Sequence, residues 1–102
     1  MRDSEDSDFQ RALRRSGDLD RRLDGEDVET RDVEDARHWE TVYRELHSFK
    51  VSVFNTAQER GQSVSDGGRS EVQDDLTILG AELKRLAARL EFWQRRRAEL
   101  ER

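Results

Sequence analysis

The chain has 102 residues, of which 32% are hydrophobic and 42% charged, with a formal net charge of -5. So little apolar material excludes a broad globular core and leaves disorder or long two-faced helices. The lack of proline favours helices, the lack of cysteine excludes disulfides and thiolate chemistry, and the acidic balance gives no pull toward nucleic acid or an anionic membrane.

Residues 1–30 carry ten acids and six arginines around few apolar side chains, with Gly17 and Gly25 as interruptions. This composition reads as a flexible acidic arm. Within it, Phe9 with Leu13 and Leu19 with Leu23 are two i, i+4 pairs, the spacing of a short amphipathic helix. The opening residues lack an apolar signal core, and no run approaches the roughly 18 apolar residues of a membrane span. A cytoplasmic protein with no membrane partner is expected.

From residue 31 the pattern becomes periodic. Trp39, Val42, Leu46, Phe49, Val53 and Thr56 recur at alternating spacings of 3 and 4, the seam of a heptad repeat. A second series runs Val72, Leu76, Leu79, Leu83, Leu86, Leu90, Trp93, Arg97 and Leu100. These predict helices over 31–60 and 70–102, each about 45 Å long at ~1.5 Å per residue. Between them lies "RGQSVSDGGRS", residues 60–70, with Gly61 placed as a helix-ending glycine and Ser70 with Gln73 as a capping box for the second helix.

A short loop between two long helices predicts an antiparallel hairpin with its tip at 61–69. If it folds about the tip, facing residue numbers share one total. Trp39 with Trp93, Val42 with Leu90, Leu46 with Leu86, Phe49 with Leu83, Val53 with Leu79 and Asp35 with Arg97 all do. The predicted fold is therefore all-α, an antiparallel two-helix coiled-coil hairpin preceded by the arm.

A stripe beside the seam, Ala36, Tyr43, Phe54 and Ala57, is not absorbed by that hairpin, and neither is Phe92 within "LEFWQRRRAEL". Such a leftover stripe predicts self-association, most simply a homodimer forming a four-helix bundle, or coverage by the arm through Phe9, Leu13, Leu19 and Leu23. Tyr43, Phe54, Ala57, Phe92 and those four arm residues are the candidate partner-binding set. Gly80, on the second helix, either permits close approach of a neighbour or is tolerated drift.

No chemical site stands out. His38 and His47 are nine apart, off the i, i+4 spacing of a helical metal pair, although Glu34 lies four before His38. Ser63, Ser65 and Ser70 have no fixed base, and "SDGGRS" lacks the strand and lysine of a phosphate loop. Neither catalysis nor a cofactor or metal is expected. Arg95, Arg96 and Arg97, with Lys84, Arg85 and Arg89, form a basic stripe of the kind that contacts phosphates, but Glu91, Glu99 and Glu101 interrupt it. Nucleic acid is therefore a minor expectation.

In outline the predicted hairpin resembles the finger proteins that probe the secondary channel of RNA polymerase, with Asp66, Glu59, Glu71, Asp74 and Asp75 near its tip. The globular domain that accompanies such fingers has no counterpart here. Helical-hairpin anti-sigma factors are a second comparison; of their cyclic-dinucleotide motif only Ser70 with Gln73 is present, so no ligand is carried over. The expected function is a non-catalytic protein-protein interaction module, a scaffold or regulatory adaptor. The alternative is a bacterial transcription regulator acting on polymerase, a sigma factor, or DNA through Arg95–Arg97.

Overall fold

A computed structural model describes residues 3–63 and 65–102, and among these every regular element is a helix. The order is α1 (Asp3–Gly17), α2 (Val33–Gln62) and α3 (Asp66–Leu100). Helices α2 and α3 run side by side in opposite directions, as the Trp39–Trp93 stack, 6.5 Å between ring centroids, and the Lys50–Glu82 ion pair at 3.3 Å require. Both pairs obey the register read from the two periodic series. Helix α1 packs on α3 alone, so three helices associate rather than two. The assembly measures 55 × 31 × 16 Å; its least dimension scarcely exceeds one helix diameter of about 10–12 Å, so every helix keeps a solvent face.

The helix ends differ from expectation. Helix α2 begins after Asp32, whose carboxylate accepts the Glu34 amide at 3.0 Å, an aspartate N-cap followed by the acids Glu34 and Asp35 in the first turn. It runs through Gly61 to Gln62, and Ser63 closes it by donating its amide to the Arg60 carbonyl. Gly61 is thus a helical residue. A Cβ there would lie 2.8 Å from Val72 Cγ1, so its role is to let α3 approach closely. Helix α3 starts at Asp66 after Ser65, which makes no side-chain cap bond, and Ser70 with Gln73 lies inside the helix rather than capping it.

The inward face of α2 also departs from the predicted seam. Ala36, Trp39 and Tyr43 are buried with Leu86 and Trp93, whereas Phe49 is 63% exposed. Tyr43 and Phe49 are six residues apart, about 120° around the helix, so both cannot face the same core. The stripe assigned to the side of the seam is therefore the core face at this end. The Asp35–Arg97 pairing does not form: Arg97 binds Glu40 and, at 2.7 Å, Glu101, which also holds Arg37 at 2.6 Å.

Gly61 and Gly80 make opposite predictions. A Cβ on Gly80 meets only Phe54 at 4.0 Å, so Gly80→Ala should raise stability to urea by roughly 0.5–1 kcal/mol through helix propensity. Gly61→Ala should lower it, because the stiff Val72 side chain has to give way.

Candidate functional site

The arm returns along α3. Gly17 sits against Ala81, with 3.6 Å between its Cβ position and the Ala81 Cβ. From there Arg85 Nε donates to the Ser16 carbonyl at 3.2 Å, and Arg96 donates to the Thr30 carbonyl at 2.7 Å. Residues 17–30 thus ascend the same face that carries Ala81, Arg85, Arg89 and Arg96, and Leu23 and Val28 pack against the aromatic core.

At the middle of this path the chain turns sharply. The Glu26 amide donates to the Leu23 carbonyl at 3.1 Å, and Gly25, third of the four turn residues, has φ +84, the left-handed conformation that glycine supplies without strain. The turn directs the Glu26 side chain inward, where it has no solvent exposure. One carboxylate oxygen accepts from the Leu23 amide at 2.9 Å and from the Tyr43 hydroxyl. The other accepts from Arg89 and, at 2.7 Å, from the Trp93 indole nitrogen. The donors come from the arm, α2 and α3, so one carboxylate joins all three segments. Arg89 lies between the Tyr43 ring, 5.7 Å from its guanidinium carbon, and the Phe92 ring at 5.0 Å, a cation-π sandwich in a desolvated position.

Burial acts to raise the Glu26 carboxyl, but Tyr43, the Leu23 amide, Arg89 and Trp93 together outweigh it and hold it below the ordinary carboxyl value. Burial and the adjoining Glu26 push the Tyr43 hydroxyl up. Burial works against the Arg89 charge, yet Glu26 and Tyr43 more than restore it. Ionised Glu26 facing cationic Arg89 is therefore the stable state at neutral pH.

The residues expected to form a partner-binding set divide between two places. Tyr43 is fully buried, Leu23 packs on the core, and Phe92 packs edge-on against Trp93 at 5.1 Å, so these three are committed within the chain and do not form an open face. Phe9 and Leu13 are half-buried along α1, while Leu19 is 53% exposed. Phe54 and Ala57 are half-buried in the other half of the α2–α3 pair. Of the basic stripe, Arg85 and Arg89 are buried, Arg96 and Arg97 hold the arm and Glu40, and Arg95 pairs with Glu91 at 3.0 Å.

Beyond Tyr43 on α2 and before Arg85 on α3, no described residue is buried. Here a groove of about 510 Å³ lies between the two helices, with Val53, Thr56 and Ala57 on one wall and Ile78 and Leu79 on the other. Arg60 and Asp75 stand at its margin, and neither makes a side-chain ion pair or hydrogen bond within the chain. The side chain of Asp66, an expected tip acid, lies outside the described residues. Among the described residues no cluster of three metal-ligating side chains occurs, and no helix is long and apolar enough to cross a membrane. No protein family model, no curated protein and no solved structure matches the chain.

Composition does not single out Glu26 among the arm's ten acids. The signals that mark it are the Leu-Asp-Gly-Glu turn and the donors awaiting a partner: a buried Tyr hydroxyl and a buried Trp N–H each need an acceptor.

Removing one member of a buried ion pair strands the other, at a cost of about 3–5 kcal/mol. Glu26→Gln should therefore release the arm, seen as tryptic cleavage at Arg21 and Arg22 under conditions where the parent chain resists. The double variant Glu26→Leu with Arg89→Met should recover part of that loss in urea unfolding. For acid, a carboxyl whose folded value is lowered adds stability that is complete above its unfolded value and vanishes as pH falls through the folded one. The stability gap between the parent chain and Glu26→Gln, measured by urea unfolding, should be constant near neutrality and close progressively below about pH 4.5.

Proposed function

We propose that this chain is a non-catalytic protein-protein interaction module, a scaffold or regulatory adaptor, which binds through the tip half of α2 and α3. The observation that carries this reading is the contrast between the two halves. At the base, the arm fills the space beside both helices and the buried donors converge on Glu26. Toward the tip, Phe49 is 63% exposed, and Val53, Ala57, Ile78 and Leu79 line an open groove. Two helices bury one stripe each, and apolar residues left beside that stripe become favourable contact area once another helix covers them.

The occupant that best suits this groove is the same groove of a second copy. In a homodimer with its two-fold axis along the helices, height is preserved, and Arg60 of each copy lies level with, and within about one helical turn of, Asp75 of the other. Each unpaired charge then gains a counterpart around an apolar centre, and the two coiled-coil hairpins become a four-helix bundle. Arg96 and Arg97, the centre of the basic stripe, are engaged within the chain, which favours a protein partner over nucleic acid.

Analytical ultracentrifugation of the full chain should show a monomer-dimer equilibrium with the dimer populated at micromolar concentrations. Val53→Glu should shift it to monomer by at least about tenfold in dissociation constant with helical circular dichroism unchanged, since a carboxylate replaces apolar contact at the centre. Exchanging the charges, Arg60→Asp with Asp75→Arg, should retain the dimer where either single change weakens it. A parent chain that remains monomeric at high micromolar concentration rules out the second copy as occupant.

A further inference from the structure

Arg85 is 6% exposed yet has no carboxylate partner. Its hydrogen bond runs from Nε to the Ser16 carbonyl at 3.2 Å, near the end of α1, where the helix dipole supplies only about half a negative charge. Its Nη1 is buried with no hydrogen-bond partner, and so is Nε of Arg89, one turn further along α3. Arg21, half-buried on the connecting segment, adds a third cation against Arg85 and donates only to the Arg15 carbonyl at 3.5 Å. The acids nearby are already engaged: Glu26 by its four donors and Glu82 by Lys50. Arg85 and Arg89 thus lie near Glu26, already held by four donors, and Glu82, which acts on Arg85 while holding Lys50, so the cations of this cluster, Arg21 included, outnumber its carboxylates.

We propose that Arg21 and Arg85, with Arg89 behind them, form a binding site for a small dianionic oxyanion of the phosphate class. An uncompensated buried charge is costly, and a guanidinium presents its N–H groups in the planar fork that pairs with phosphate oxygens. A phosphate dianion offsets that excess and supplies acceptors for the unpartnered N–H groups. Its entry is from the side of Arg21, where it displaces only that residue's long bond to the Arg15 carbonyl. Burial and the Arg21 charge also depress the proton affinity of Arg85, as expected for a cation lacking its counter-ion.

The test uses the full chain, melted by circular dichroism while inorganic phosphate replaces chloride at constant ionic strength and pH. Millimolar phosphate is too dilute for general salting effects. The midpoint should rise saturably with phosphate in the parent chain, as linkage to the folded state requires. In Arg85→Met it should not move, and without phosphate this variant should melt no lower than the parent, because an unpaired buried charge has been removed. Arg21→Met, at a half-exposed position, should keep the fold and weaken phosphate affinity about tenfold. Phosphorus-31 line broadening by the parent chain, lost in Arg21→Met, reports binding even if Arg85→Met fails to fold. No saturable rise in the parent, or an equal rise in Arg21→Met, overturns the site.

Discussion

A carboxylate cut off from water must have its charge and its lone pairs satisfied by the protein, and Glu26 meets that demand with four donors drawn from the arm, α2 and α3. The geometry around it follows from this requirement. The Tyr43 hydroxyl has to point inward, which turns α2 so that Ala36 and Trp39 share its core face and Phe49 turns out. Arg89 has to lie beneath the arm, which places Arg85 and Arg96 on the same side of α3, where they hold carbonyls of Ser16 and Thr30. A chain with five fully or nearly buried apolar side chains could not fix three segments by hydrophobic contact alone. The polar cluster supplies the missing specificity, and it leaves cations in excess.

Burial is divided along the long axis. The base carries Trp39, Tyr43, Leu86, Trp93 and the Glu26 cluster; the tip carries half-buried apolar residues, the exposed Phe49 and the Lys50–Glu82 pair. The proposed dimer uses the tip, and the proposed oxyanion site lies at the junction of the two halves, where α1 ends beside Ala81 and Arg85. An anion bound there would tighten the attachment of the arm without touching the tip groove.

Much of the α2–α3 pairing was legible in the sequence, because two heptad series with a shared register leave few alternatives. The Trp39–Trp93 stack and the Lys50–Glu82 bridge both fall on that register. The stripe beside the seam points to a further covering segment, and at the base the arm is that segment, through Leu23 and Val28. Heptad periodicity reports that one stripe is apolar, but it does not report which neighbouring residues a third segment will recruit, and Tyr43 and Ala36 were recruited. The helix ends differ for a related reason: a glycine near a helix end suggests backbone freedom, whereas at Gly61 the missing side chain is what Val72 uses. In the arm, ten acids look alike until the Gly25 turn is combined with the inward donors of Tyr43 and Trp93. The expected partner-binding set divides because Tyr43, Leu23 and Phe92 are apolar enough for an interface and equally suited to the core, where they pack.

Native-state amide hydrogen exchange tests the central claim, that the Glu26 latch makes arm, α2 and α3 one cooperative unit, most directly. Because the Leu23 amide donates to the buried carboxylate, it should exchange as slowly as amides of α3 between Leu86 and Trp93, and both should be slower than amides at the tip. A Leu23 amide that exchanges at the rate of an open chain while the α3 amides stay protected would contradict the account.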